Sequence, residues 1–435
     1  MPPSIYLDYA GCGQFDTDQM DAIFGELKSL QAYGNPHGSS AAGLFMQSLI
    51  TETRERLLSF FNTTNTEYSI IFTANCSGAV KLLAETFQFT QSSGGLMNYD
   101  DVTDGQSTGC DQQKSFVVNQ NAIVKHPCFM YLKDNHTSVL GTGNSLFAYP
   151  AESNFNGRKY PLEWLEMVET GKFGAGKWYT LLDATSLVPT SPLDLTRFKP
   201  HFATMSFYKM FGYPTGLGAL LVRCDAQDLL ETKFFAGGTA IRALPGVRYH
   251  KFVSDFCEKF EYGTTSFLDI ISVRHGLDSI QAFGGIHKLS EHVATLATYL
   301  SNKLLALSHS NRTRVVEIYS KTQFGNVNAH GGKVTFNLLY PDGTIVPVAK
   351  INEAAKQRGL HIGAGYFCNM GALQELMCVS DDEVLQAIES SNRGESAVPC
   401  VNNKPLTAIR ISFGKGSIQV SPQSAAFILF LVIIQ

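Results

Sequence analysis

The sequence lacks the patterns that mark several common protein classes. Its nine cysteines form no C-x-x-C pair and no cluster with histidine, so no zinc site is expected. Their number is odd and their spacing irregular, which argues against a disulfide scaffold and for mostly free thiols in a reducing, cytoplasmic compartment. Charged residues are only 17% of the chain and the formal net charge is -4. With no basic stripe and no aromatic-interleaved lysine run, nucleic acid is not an expected partner. The apolar run at 425–434 falls well short of the roughly 20 residues that span a bilayer, so it reads as a buried final element or an atypical tail, and no membrane partner is expected. The first residues show no basic region followed by an apolar core, so no secretory signal is expected. No internal repeat is present.

The chain has 435 residues, 44% of them hydrophobic, enough for one large domain and a smaller one, each with its own core. An apolar piece at 5–7 precedes a helix expected over 17–31, capped by Asp16, with Met20, Ile23, Phe24, Leu27 and Leu30 on one face. The loop Gly-Asn35-Pro-His37-Gly cannot be helical. A second helix is expected over 42–60, with Leu49, Leu57 and Leu58 inward. The run 68–72 reads as a strand, followed by Thr-Ala-Asn-Cys76-Ser77-Gly and an amphipathic helix. Strand, small polar turn and helix bring backbone N–H groups to an anion, so Cys76 and Ser77 are either phosphate contacts or an ordinary N-cap turn. Residues 94–115 are polar and read as an exposed insertion. Asn-His136-Thr-Ser opens a further helix, where the histidine either stacks on a cofactor ring or simply caps the helix. Helices are expected over 267–283 and 286–307, divided at Gly284-Gly285. From about 312 the pattern changes to a smaller α+β unit, with strands at 333–339 and 407–413 and a helix at 348–358, which the N-terminal segment joins.

The chemistry centres on 204–222, TMSFYKMFGYPTGLGALLV, where Lys209 stands between an apolar run and a loop of glycine and proline. The preceding strand, 178–182, delivers Asp183 at its end. An Asp after one strand and Ser206-x-x-Lys209 after the next is what a pyridoxal phosphate site requires: an amine for the aldehyde and a carboxylate for the ring nitrogen. Ser206 can hold phosphate oxygens, and Thr185 and Ser186 can reach the ring oxygen or phosphate. A surface lysine beside a turn is the alternative for Lys209 taken alone. The glycine-rich loop HIGAGYFCNMG carries Cys368, either a mobile nucleophilic thiolate or a spare thiol. Arg410 lies within the strand-like Ala-Ile-Arg-Ile-Ser. A buried strand rarely tolerates an unpaired guanidinium, so Arg410 either grips a substrate carboxylate or belongs to an internal ion pair.

In order along the chain, YLDYAG, GNPHGSS, IIFTANCSGAVKLLAETF, DNHTSVLG, LLDATSLVPTSPLDL, SFYKMFGYPTGLGALLVR, FEYGTTSFLDI, GYFCNMGA and AIRISFG resemble the N-terminal, cysteine-desulfurase-like part of the eukaryotic molybdenum cofactor sulfurase family. The resemblance implies an α/β fold of the pyridoxal-phosphate-dependent transferase type I, class V aminotransferase kind. A large cofactor domain with a mostly parallel sheet would span 40–310, a smaller α+β domain 1–39 with 311–416, and an atypical tail 417–435. It also implies a homodimer with pyridoxal phosphate near the subunit boundary. Lys209 is similar to the Schiff-base lysine, Asp183 to the ring-nitrogen partner, and His136 to the ring-stacking residue. Ser206, Cys76, Ser77 and Ser186 resemble cofactor contacts, with Thr264 reaching across from the other subunit. Cys368 resembles the persulfide cysteine, Arg410 the carboxylate clamp, and Asn35 and His37 substrate contacts. The implied reaction takes sulfur from L-cysteine, leaves L-alanine, and passes the sulfur to the molybdenum cofactor of xanthine dehydrogenase and aldehyde oxidase type enzymes. A general cysteine desulfurase, another type I enzyme and a non-catalytic truncated isoform are the alternatives. Tyr366 and Leu373 stand where family loops carry further cysteines, which isolates Cys368. Asn75-Cys76 replaces the usual glycine and small residue. The family's C-terminal cofactor-binding domain is not expected within these residues.

Overall fold

Five strands that run the same way set the frame of the larger sheet. In spatial order it comprises Tyr68–Thr73, Gly218–Arg223, Phe202–Ser206, Lys177–Asp183, Asn144–Pro150, Leu96–Asn98 and Phe116–Val118. Gly218–Arg223 and Phe116–Val118 run opposite to the rest. The computed structural model describes residues 4–30, 32–89, 96–98, 116–118, 144–171, 177–232, 234–235, 237–320, 322–390, 400–402 and 404–418. His136 and the apolar tail at 425–434 lie outside the described residues. The polar stretch at 94–115 is not all insertion: Leu96–Asn98 pairs in parallel with Leu146–Ala148.

Side chains alternate between faces along a strand, and here both faces are apolar. Ile70, Phe72, Ala203, Met205, Ala219 and Leu221 join one core with Phe207, Phe211 and Val273. Ile71, Phe202, Leu220 and Val222 join another with Leu82, Leu83 and Phe260 on the opposite face. Helices over Ala41–Phe60 and Phe267–Phe283 cover the first face, and the helix Cys76–Thr86 lies on the second. Leu49, Leu57 and Leu58 point inward as expected. The helix Thr17–Ser29 departs from expectation. Ile23 is buried, but Phe24 is 49% exposed and Gln19 turns inward. Its amide bonds the carbonyl oxygens of Phe211 and Tyr213, so a polar anchor joins the apolar stripe of Met20, Ile23, Leu27 and Leu30.

A second, antiparallel sheet is ordered Val316–Ile318, Lys333–Leu338, Ala408–Ser412, Gly363–Gly365. The N-terminal Ile5–Tyr6 pairs with Leu360–His361, and Asp8 bridges to Ser412. The helix Ile286–Leu305 buries Leu289, Val293, Leu296 and Leu300 in the same core as Val334, Phe336 and Ile411. This helix follows directly on Gly284-Gly285, where both glycines take positive φ.

At the junction of the two sheets the His330 ring packs on Phe324, its Nδ1 bonds the Gly331 carbonyl, and its buried Nε2 has no partner. Burial pushes its pKa down to about 4. The buried His201, hydrogen-bonded to Thr180, is likewise pushed to about 4 by burial. An unfolded histidine takes up its proton near ~6.5, so the stability held in these neutral rings is complete above that pH and is lost as pH falls toward the folded value. The urea midpoint is therefore expected to fall between about pH 6.5 and 4. His330→Gln should reduce that slope without abolishing it, because His201 remains.

Candidate functional site

Strands that run the same way bring their carboxyl ends to one edge of the sheet, where open α/β folds bind ligands. Asp183 ends Lys177–Asp183 there, Ser206 ends Phe202–Ser206, and Asn75-Cys76 follows Tyr68–Thr73. Asp183 Oδ1 accepts the Thr185 N–H at 2.9 Å and faces the Cys76 thiol at 3.6 Å. Ser206 Oγ accepts the Cys76 N–H at 2.9 Å. This turn can lie against the strands only because residue 218 is glycine: a Cβ there would stand 2.6 Å from the Asn75 carbonyl carbon and from the Met205 oxygen. The thiol of Cys76 is no nucleophile. Burial, reinforced by Asp183, pushes its pKa up to about 12. The buried Thr185 hydroxyl lies near it without a hydrogen bond of good geometry.

Lys209 follows Ser206 within the short helix Phe207–Phe211. Gly13 packs on this helix, its N–H bonded to the Tyr208 carbonyl at 3.1 Å, and a Cβ there would meet the Lys209 oxygen at 2.7 Å. The Lys209 side chain borders two narrow cavities, one shared with Gln19, Met210 and Ser279, the other with Thr185, Ser186 and Lys333. Burial lowers its pKa, Asp183 works the other way, and Lys333 and Arg410 add to the lowering. An amine of lowered pKa is unprotonated more often at neutral pH than a surface lysine, and the neutral amine is the nucleophile.

Arg410 sits in the middle of the fully buried strand Ala408–Ser412. Its Nη2 bonds Asp8 Oδ1 at 3.0 Å, its Nη1 bonds the Asn154 carbonyl at 2.6 Å, and its Nε is buried without a partner. An internal ion pair is therefore present, yet one donor of the fork is left over. The guanidinium lies 4.2 Å from the centre of the Phe367 ring. Phe367 and Cys368 both take positive φ, 54° and 55°, a conformation that costs non-glycine residues of order 1 kcal/mol or more each. Asn154 Nδ2 bonds the Phe367 carbonyl at 2.8 Å, and Asn369 caps the helix Met370–Met377 while bonding Ser153. The thiol is thus exposed on a backbone held from both sides. Charge on Cys368 is felt by both Arg410 and Tyr208, the neighbour of Lys209.

Asp183, Cys76, Ser206, Lys209, Arg410 and Cys368 thus converge on one region, and Ser186 joins them through its hydroxyl on Asn154 Oδ1 at 3.2 Å. Ser77 is exposed at the start of its helix. Asn35, His37 and Thr264 are exposed too, and among the described residues no hydrogen bond joins them to Lys209. They gather instead near Gly238: its missing Cβ would stand 2.8 Å from the His37 ring, and Gly263, beside Thr264, bonds Gly237. Reading the sequence missed Asn154, Asp8, Glu152 and Lys333. Lys333 carried the same signal as Arg410, a cation in an otherwise apolar strand; Asn154 and Asp8 act through neighbours distant in the chain.

The model of the aminotransferase class-V family matches residues 5–335. The chain belongs to the class-V aminotransferase family. Within that family it is 34% identical to the molybdenum cofactor sulfurase of Bos taurus over 444 residues, 99% of this chain and 50% of that protein. It is also 34% identical to that of Homo sapiens, over 99% of this chain and 49% of the relative. The chain thus spans about half the length of the curated relatives it matches. Among solved structures, the class-V fold is shared with an apo cysteine desulfurase from Thermococcus onnurineus, with a TM-score of 0.70 at 16% identity, covering 99% of this chain and 95% of that one. Among the described residues no helix is long and apolar enough to cross a membrane, and no group of three or more His, Cys, Asp or Glu could hold a metal.

Two of the thiols gathered near Lys209 differ sharply in environment: Cys76 is held against Asp183 and Thr204, and Cys368 is exposed. With a pKa near 12, the Cys76 thiolate is only about one part in 10⁴ at pH 8, and the thiolate is the reactive form. Iodoacetamide at pH 8, followed by peptide mass spectrometry, is expected to label the exposed Cys368 within the native protein and to leave Cys76 unlabelled until it is unfolded.

Proposed function

We propose that this chain is the sulfur-mobilising part of a pyridoxal-phosphate-dependent molybdenum cofactor sulfurase, working as a cysteine desulfurase on L-cysteine. The observation that carries the proposal is the convergence of a half-buried amine, a strand-end carboxylate, a buried arginine and one exposed loop thiol at the carboxyl ends of like-directed strands. The residues fit the cofactor. Lys209 offers an amine of lowered pKa, Asp183 a carboxylate, and Thr185 a buried hydroxyl without a hydrogen-bond partner. When bound, pyridoxal phosphate supplies an aldehyde for the amine and a ring that accepts electrons from the substrate α-carbon.

The chain's own residues do the rest. Lys209 holds and returns the α-proton as base and acid. Arg410 grips the substrate carboxylate with its fork, replacing part of its bond to Asp8. The Cys368 thiolate attacks the substrate sulfur and the carbon–sulfur bond breaks. The electron pair stays with the carbon, which takes up a proton and leaves in L-alanine, while Cys368 keeps the sulfur as a persulfide. Ser206 and Ser77, with Cys76 through its turn, flank the phosphate end. Thr264, Asn35 and His37, gathered away from Lys209, suit a homodimer in which the neighbouring subunit completes each site, and His136 is assigned to the cofactor ring. The terminal sulfur passes, in the cytoplasm, to the molybdenum cofactor as substrate: an external dithiol or two thiols supply two electrons and are oxidised to a disulfide, Cys368 returns to the thiol, and the displaced oxo oxygen leaves as water. Residues 40–310 would form the cofactor domain, and 1–39 with 311–416 the smaller one.

Borohydride reduction of the full chain with pyridoxal phosphate, followed by peptide mapping, is expected to mark Lys209. With L-cysteine, wild type should release alanine and carry a persulfide. Cys368→Ala should lose the persulfide, and Lys209→Ala should lose alanine release by at least about 10²-fold. A label elsewhere, or a persulfide surviving in Cys368→Ala, would sink the reading. Alanine release without sulfuration of added molybdenum cofactor would point to a general desulfurase.

A further inference from the structure

The pair formed by Lys333 and Glu152 has no part in the chemistry described so far. Lys333 begins the strand Lys333–Leu338, opposite Ser412, and is 4% exposed. Glu152 follows Asn144–Pro150 of the large sheet and is fully buried. Lys333 Nζ is in direct contact with Glu152 Oε1 and donates to the Ser186 carbonyl at 3.3 Å. Glu152 Oε2 is buried with no hydrogen-bond partner. Replacing a buried ion pair by apolar residues is often neutral or stabilising, so such a pair is poorly explained by stability alone. Its position is more telling. Lys333 lines the same narrow cavity as Lys209, together with Thr185, Ser186 and Ser412.

We infer that Lys333, clamped by Glu152, is a positioning residue of this site: a fixed ammonium in the cavity wall that keeps a second positive charge from settling on Lys209 and so leaves the Lys209 nitrogen available as nucleophile and base. The inference rests on Lys209 being the reactive amine. The groups facing Lys209 are Asp183 from the large sheet, Cys76 from the turn, Arg410 and Lys333 from the small sheet, and Cys12 from the N-terminal segment. Asp183 favours a charged Lys209, and the two small-sheet cations oppose it. Around Lys333 stand Glu152, Arg410, Lys159 and His330. Burial works against the Lys333 ammonium and contact with Glu152 works for it. The pair also spans both sheets, so the charge arrives at Lys209 only when the two are docked.

The test reads the ionisation of Lys209 directly and needs no cofactor. The full chain, cleared of any bound carbonyl with hydroxylamine, is pulsed with acetic anhydride across a pH series, and acetylation of Lys209 is quantified by peptide mass spectrometry. In wild type the midpoint should lie below the ~10.4 of a free lysine. In Lys333→Met it should rise by about one pH unit, roughly tenfold in the acid constant, and Lys333→Arg should restore it toward wild type. If Lys333→Met does not fold, Lys333→Gln, which removes the same ammonium and keeps a polar side chain for Glu152, carries the same measurement. A wild-type midpoint at the free-lysine value, or one that does not move in the folded variant, overturns the inference. Failure of borohydride to mark Lys209 would sink the proposed function while leaving this charge effect measurable, so the two failures are told apart.

Discussion

An ammonium or guanidinium taken out of water costs several kcal/mol unless a carboxylate or a set of oxygens receives it. Two such cations, Lys333 and Arg410, are buried where the two sheets meet, beside the half-buried amine of Lys209. Glu152 holds Lys333, Asp8 and the Asn154 carbonyl hold Arg410, and Asp183 is the anion that Lys209 feels. The carboxylates come from three places: the N-terminal segment, the end of Asn144–Pro150 and the end of Lys177–Asp183. Neither sheet could bury these charges alone. The site and the docking of the two sheets are therefore one electrostatic arrangement.

That arrangement leaves deliberate deficits. Arg410 Nε, Glu152 Oε2 and the Thr185 hydroxyl are buried without partners, although most buried polar atoms in native proteins are satisfied. Of these, Arg410 Nε and the Thr185 hydroxyl are groups that an anionic, hydrogen-bonding small molecule beside Lys209 could satisfy. The strained pair Phe367 and Cys368 adds a second reservoir at the same place, held by Asn154 and Asn369. A thiol on such a backbone is presented to solvent beside the arginine, and is kept from folding into the protein as Cys76 does.

Much of this was legible in the chain. Strand-end Asp183, Ser206-x-x-Lys209 and the glycine-rich loop around Cys368 are local patterns, in which neighbours in sequence carry the chemistry. The strands at Tyr68–Thr73 and Lys177–Asp183 and the helices at Ala41–Phe60 and Phe267–Phe283 were equally readable, because long runs with strong apolar periodicity leave little choice. The inward face of the helix Thr17–Ser29 was read correctly except at Phe24: periodicity counts apolar residues and cannot foresee that Gln19 finds two carbonyl oxygens from a distant loop. Leu96–Asn98 was passed over because three residues are too short to announce a strand within a polar stretch.

The sequence by itself determined the family and the fold class, and it brought forward the proposed amine, carboxylate and thiol, since each depends on residues within one strand–turn–helix unit or one loop. Only the tertiary structure decided which partners complete them. That Asp8 pairs with Arg410 across 402 residues, that Asn154 links arginine to thiol loop, and that Lys333 shares a cavity with Lys209 are facts of chain return. Charge and hydrogen bonding act through space over a few ångströms, and no pattern along the chain encodes which distant carboxylate will arrive there.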